Sequence, residues 1–252
     1  MRNVLEGVAA GLCAVAAMVV VSRIARESER LTVLVEDMLL LARLDECGTS
    51  GKGGKGKGGG KGKRDGREGN EGDPPFPLGM EPAPMDLRTL AADALHDVRA
   101  LDASRPVTLT GPGGGAPGSA PAFADEARLR QVVTNLVGNA ITHTPPGTPV
   151  RIGVGTLGDH AVLEVADRGP GLTEEQSRRI FERFYRADPS RTRTTGGAGL
   201  GLAIVRSLVT AHAGRVEVHT TPGGGATFQI LLPPGAGGVV HRPDDMRMAR
   251  KY

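Results

Sequence analysis

The sequence predicts an α+β chain in which a long helix and a flexible linker precede a two-layer α/β sandwich. Three observations predict it. Residues 1–47 carry helical periodicity. Residues 48–75 contain no apolar side chain at all. Residues 82–234 alternate helical and strand patterns. The divisions are therefore a helical region (1–47), a linker (48–81), a folded domain (82–234) and a polar tail (235–252).

In the helical region, Ile24, Leu31, Val35, Met38 and Ala42 recur at spacings of three, four or seven, with charged residues between them. That is an amphipathic helix with a coiled-coil-like seam. One helix cannot bury its own stripe, so the pattern calls for a partner helix from a second subunit, or else for an ordinary surface helix. Upstream, Val8–Val21 is apolar and uncharged but shorter than the ~20 residues that span a bilayer. Extending it to Val4 takes in Glu6, and Arg23 and Arg26 follow on the flank. It reads either as a membrane segment or as a buried bundle helix.

The linker is dominated by glycine and lysine. It cannot bury enough surface to offset the entropy of ordering, although a polybasic tract can also touch acidic lipid. Net charge is +3, and much of the basic excess lies in this tract. With aromatics at only 3% and none in the tract, nucleic-acid binding is not expected. Cys13 and Cys47 fit neither a disulfide framework nor a zinc site and read as free thiols.

Within the folded domain, Asp86 is placed to cap a helix running through Leu87, Leu90, Ala94 and Val98. Val107–Leu109 reads as a short strand. Asp125 caps a longer helix through Leu129, Val132, Val133, Leu136 and Ala140. Val150, Ile152 and Val154 alternate, as do Leu163 and Val165, which predicts two strands. Leu200–Ala213 is helical. Val216–Thr220 and Thr227–Leu232 form a closing hairpin around Gly223–Gly225.

Four motifs carry chemistry. Asn135 and Asn139 are four apart on one helix face, away from the core positions, and Asn139 offers a neutral oxygen suited to Mg²⁺; surface asparagines fit the spacing equally. Asp167-Arg-Gly-Pro-Gly171 ends a strand, either as a simple turn or with the carboxylate accepting a hydrogen bond from an adenine amino group. Gly196-Gly-Ala-Gly-Leu-Gly-Leu202 opens a helix, so backbone N–H groups and the helix terminus can cradle phosphate. It lacks the Gly-Lys-Ser/Thr of a P-loop. Between these lie Phe181 and Phe184, base residues of a mobile lid, then Arg186, Arg191 and Arg193, which are within reach of a triphosphate or simply solvated.

NLVGNA, DRGPGL, IFERFYRAD, GGAGLGLAIV and GGGATF follow one another in order. The set resembles the catalytic ATP-binding domain of sensor histidine kinases in two-component systems, and ARESERLTVLVEDMLLLARLDE resembles the second helix of that family's dimerisation hairpin. The resemblance implies the sandwich fold shared with gyrase and heat-shock ATPases, with ATP and Mg²⁺ as cofactors. It implies that Asn139 binds Mg²⁺ with Asn135 as its partner, and that Arg186 contacts the terminal phosphate. Asp167 would anchor adenine on a turn shaped by Gly169 and Gly171. Gly197, Gly199 and Gly201 would form the lid hinge and phosphate cradle, while His143, Leu172, Leu200, Leu202 and Thr227 would contact the nucleotide.

The sequence departs from the family at two places. A basic residue common after the asparagine box is Thr142 here, and an aromatic one is His143. Residues 1–47 contain no histidine to accept a phosphoryl group, and His96-Asp97 lies on the domain's own first helix with no proline after it. The resemblance therefore implies an N-terminally truncated kinase, with the histidine-bearing hairpin supplied in trans or upstream of Met1. A homodimer, a response-regulator partner and a cytoplasmic location, with membrane association left open, complete the expectation. Two rival expectations are an ATP-binding regulatory module without turnover and a serine kinase of the anti-sigma type.

Overall fold

The computed structural model describes residues 21–22, 25, 27–28, 31–45, 79–187 and 198–234. The apolar stretch Val8–Met18 with its neighbours, the linker tract, the lid arginines Arg191 and Arg193, Gly197 and the tail lie outside the described residues. The chain divides into two compact units, Met1–Arg43 and Leu44–Tyr252. The described residues of the first, 21–22, 25, 27–28 and 31–43, are helical, and residues 31–45 are designated α1. Leu31, Val35 and Met38 of the predicted seam are exposed on it, as are Val33 and Leu39. Among the described residues, no helix is long and apolar enough to cross a membrane.

The second unit is a two-layer sandwich. Its elements run β1 (Ala83–Asp86), α2 (Leu87–Leu101), β2 (Val107–Thr110), β3 (Pro121–Ala124), α3 (Glu126–His143), β4 (Val150–Leu157), β5 (His160–Asp167), α4 (Glu174–Arg179), α5 (Gly201–Ala211), β6 (Arg215–Thr221) and β7 (Gly225–Leu232). The main sheet has the order β2-β4-β5-β7-β6; β2 and β4 are parallel and the other pairs antiparallel. One face holds Ile152, Val165 and Phe228 in register, and beside them Val154, Leu163 and Ile230. Strand side chains alternate between faces, so these six form a continuous apolar surface. Leu87, Leu90 and Val98 of α2, Leu129 and Leu136 of α3, and Ile204 and Leu208 of α5 are all buried with them.

The two acidic helix starts behave as their sequences predict. Asp86 accepts from the Arg88 amide and Asp125 from the Arg128 amide, satisfying donors that a helix start leaves open. Two elements, and the burial of a third, were not legible in the sequence. The ribbon β1–β3 is built from APMD and PAFA, which carry no β-branched residue. Helix α4 buries no side chain and so has no periodicity; a capping box between Thr173 and Gln176 holds it instead. Strand β5 was expected to alternate, yet Ala161–Ala166 are all buried. The cause is a loop over residues 111–118 that covers its second face. There the Gly113 amide donates to both carboxylate oxygens of Glu164 (3.2 and 3.1 Å), which also accepts from Arg151 (2.9 Å) and Gln229 (2.7 Å).

A buried histidine joins the two helices that flank the site. His212, 2% exposed, caps the C-terminus of α5. Its Nδ1 donates to the Leu208 carbonyl (2.8 Å), and its Nε2 accepts from the Asp125 amide (3.0 Å) at the start of α3. Acceptance at Nε2 needs the neutral ring, with its proton on Nδ1. Burial holds its pKa below the ordinary histidine value, although the Leu208 carbonyl and Asp125 act the other way. Below the unfolded value of about 6.5 the unfolded chain takes up a proton that the folded chain refuses. Stability should therefore fall as pH drops below about 6.5, toward the depressed folded pKa. In His212→Gln this acid-side loss should flatten, with a baseline lower by about 1–3 kcal/mol; urea denaturation at a series of pH values reads both.

Candidate nucleotide site

The site is built where β5 ends. Asp167 is half-buried there, and its Oδ1 accepts from the Gly169 amide at 2.8 Å. Burial pushes its carboxyl above the ordinary range; the Gly169 and Ala226 amides and the charges of His143 and Arg105 pull in the opposite direction. The turn that follows has no spare volume. Gly171 has φ +68°, and a Cβ on it would lie 2.1 Å from the Thr221 carbonyl oxygen. Gly225 has φ +89°, and a Cβ there would lie 2.0 Å from the Asp167 carbonyl oxygen. Thr220 completes the joint: its hydroxyl accepts from the Leu172 amide (2.8 Å) and donates to the Gly225 carbonyl (2.9 Å).

Helix α3 supplies a second wall. Asn135 and Asn139 are both half-buried, as their distance from the core positions predicts. The Asn135 amide nitrogen is buried without a hydrogen-bond partner. Its carbonyl oxygen lies 3.4 Å from where a Gly201 Cβ would stand, which places the start of α5 against it. His143 ends α3 with its ring open to solvent on one side. Partial desolvation and the Arg186 charge hold its pKa below the usual value, and Asp167 opposes them.

The start of α5 is the third wall. Leu200 is buried and precedes the helix with no side-chain cap, so the first N–H groups of α5 remain available to an anion. Two left-handed residues meet just before it. Phe184 has φ +61° and Gly199 φ +73°; the Phe184 amide donates to the Gly199 carbonyl at 2.9 Å. A Cβ on Gly199 would stand 3.0 Å from the Phe184 backbone. Phe181 is anchored edge-to-face on Phe228, with centroids 6.3 Å apart, and Arg179 covers the Tyr185 ring at 4.6 Å.

Asp167, Gly169, Gly171 and His143 thus converge, and Gly199, Leu200 and Gly201 stand beside Asn135, with Leu202 half-buried one residue further along α5. One expected residue falls elsewhere. Thr227 pairs with Ala166 and faces His219, so the pleat turns its side chain to the sheet face opposite that of Asp167. It lines an open groove of about 670 Å³ with His219 and Thr220, and Leu172 borders the same groove. Ala226 takes the place expected of Thr227, through its backbone amide. Thr220 and Arg105, which the sequence did not single out, carry no local motif for the bonds that tie them to the site, because those partners lie tens of residues away.

Residues 124–236 match the family model of the histidine kinase-, DNA gyrase B- and HSP90-like ATPases. These residues are thus similar to the ATPase domain that the family shares. The probable sensor histidine kinase TcrY of Mycobacterium tuberculosis is 40% identical over 212 residues, covering 84% of this chain and 37% of TcrY. The signal transduction histidine-protein kinase BaeS of Escherichia coli is 38% identical over 156 residues, covering 62% of this chain and 33% of BaeS. The chain therefore spans about a third of the length of these relatives. Among solved structures, mycobacterial sensor histidine kinase MprB aligns with a TM-score of 0.53 and 28% identity, covering 61% of this chain and 99% of that one. Full-length ShkA in complex with AMPPNP aligns at 0.58 and 28%, covering 81% and 35%.

The ATPase domain depends on the turn after Asp167 having no side chain at its tightest point. Gly171→Ala should lower the unfolding free energy by about 2–3 kcal/mol, because a Cβ would overlap backbone at a positive φ. Thermal unfolding measures this, and an unchanged midpoint would contradict the packing described.

Proposed function

We propose that the chain is the catalytic region of a sensor histidine kinase, which transfers the γ-phosphoryl group of ATP to a histidine. The observation that carries this reading is the half-buried carboxylate of Asp167, held at a strand end next to an uncapped helix start and an asparagine-bearing helix face. Asp167 accepts a hydrogen bond from the adenine amino group. The α5 amides with Gly197, Gly199 and Gly201 hold the phosphates, and Arg186 approaches the terminal one. An imidazole nitrogen attacks the γ-phosphorus, the bond to the bridging oxygen breaks, and ADP leaves with the electron pair.

Asn139 offers one neutral oxygen to Mg²⁺. Among the described residues, no group of three or more His, Cys, Asp or Glu side chains is placed to hold a metal ion. That donor set suits a cation that takes most of its ligands from phosphates and water. When bound, the cation offsets charge on the phosphates. The orphan amide nitrogen of Asn135 has a donor to spare for the same ligand. Asn135 carries no charge and cannot act as a base toward water, so ATP hydrolysis should be slow, and Asn135→Glu should hydrolyse ATP no more slowly.

Residues 1–47 contain no histidine, and His96 is exposed on α2, within the ATPase domain itself. We therefore assign the acceptor to a separate dimerisation hairpin, with α1 as the homodimer contact and a response regulator as the downstream partner. The domain would work on the cytoplasmic side, where ATP is. The missing histidine also favours a second reading, an ATP-binding regulator without turnover. Radiolabelled ATP tests both: acid-labile label on a supplied histidine hairpin supports the kinase, and no label with intact ATP binding supports the regulator. Acid-stable label on a serine of a partner protein would contradict both.

Thr142 is exposed on the last turn of α3 beside the proposed phosphates. Thr142→Lys should tighten ATP binding several-fold by adding one charge-assisted contact; calorimetric titration with no gain would remove Thr142 from the site.

A further inference from the structure

Arg105 is 4% exposed, yet it carries a full charge. Its Nε donates to Asp102 (3.1 Å). Its Nη1 donates to the Thr144 hydroxyl (2.6 Å) and the Thr148 carbonyl (2.9 Å), and its Nη2 to the Pro145 carbonyl (3.1 Å). Three of these four acceptors lie on the short segment that leaves α3. A buried guanidinium is costly to desolvate, and an apolar side chain filling the same space would serve packing at least as well. What the cation does that an apolar residue cannot is fix one loop by several directed bonds.

That loop touches the site. The Thr144 hydroxyl is held between the Arg105 guanidinium, from which it accepts, and the Ala140 carbonyl, to which it donates at 2.6 Å. This fixes the Thr144 rotamer. Its methyl then presses on the turn after β5, 2.6 Å from where a Gly169 Cβ would be. Gly169 in turn donates its amide to Asp167 at 2.8 Å. We propose that Arg105 is a positioning residue for nucleotide recognition: through Thr144 it holds the Gly169 turn that aims Asp167. The nucleotide part of this inference rests on the function proposed above; the positioning part does not.

Electrostatics point the same way. Asp167 is faced by His143 from the end of α3 and by Arg105 from the loop after α2, with the Gly169 and Ala226 amides against the carboxylate itself. Arg186 faces His143. The Arg105 charge thus favours the ionised carboxylate, against the burial that raises its pKa.

The test uses the full chain with ADP and Mg²⁺, titrated calorimetrically from pH 5 to 8.5, together with amide hydrogen exchange at Gly169 without nucleotide. Arg105→Gln should weaken ADP binding about tenfold at pH 7. It should also move to higher pH the acid limb of binding, identified as the limb missing from Asp167→Asn. Arg105→Lys should leave that limb in place while still weakening binding. Thr144→Val keeps the methyl and the buried charge but loses the link, so it should weaken binding with the limb unmoved. All three should speed exchange at Gly169. A folded Arg105→Gln with wild-type affinity and limb overturns the proposal, as does Thr144→Val with wild-type affinity and exchange if Arg105→Gln fails to fold. A uniform loss at every pH with no change at Gly169 would reduce Arg105 to a packing role. If the wild-type chain binds no ADP, the proposed function fails, and Gly169 exchange alone decides the positioning claim.

Discussion

The site depends on a backbone joint with no room for side chains. The turn that follows Asp167 lies against the β6–β7 hairpin so closely that hydrogen atoms alone fit between Gly225 and the Asp167 carbonyl, and between Gly171 and that of Thr221. Positive φ values at both glycines make the approach possible. This fixes where β5 stops, and therefore where its last carboxylate sits relative to the helical layer. The aspartate is costly to ionise in that half-buried place. The turn answers with amides from Gly169 and Ala226, and the surrounding elements answer with charge.

The helices meet this joint as a braced pair. His212 ties the end of α5 to the start of α3, so the other ends of both helices are set relative to each other. Those other ends matter: α3 finishes at His143 and Thr144 beside Asp167, and α5 begins at Gly201 beside Asn135. Two buried cationic or titratable groups, His212 and Arg105, thus sit at loop–helix junctions rather than in the core proper. Each serves by direction of hydrogen bonding, which apolar packing cannot supply.

The helical layer and the hairpin were legible because their signals are local. Caps at Asp86 and Asp125, the 3.6 period of α3 and α5, and the glycines at 223–225 each lie within a few residues of the structure they specify. The glycine turn around Gly171 was legible for the same reason. What escaped was specified at long range. The full burial of β5 follows from a glycine-rich loop that folds back over Glu164. The face that Thr227 occupies also escaped, because a pleat reverses direction at each position and the register is set by pairing with Ala166. Arg105 escaped entirely: three of its four acceptors lie about forty residues away, and an isolated arginine before a proline carries no pattern.

The residues just before α5 bear on how such a chain can change over evolutionary time. Phe184 and Gly199 are joined directly by a backbone hydrogen bond, each in the left-handed conformation. The two ends of the chain between them are therefore joined backbone to backbone. Loop-closure entropy rises only with the logarithm of length, about 0.6 kcal/mol for each doubling. Insertions or deletions between these two residues would cost the domain little stability, while any residue there that reaches a nucleotide would be free to diverge. The stapled ends separate the selection acting on the fold from the selection acting on the ligand.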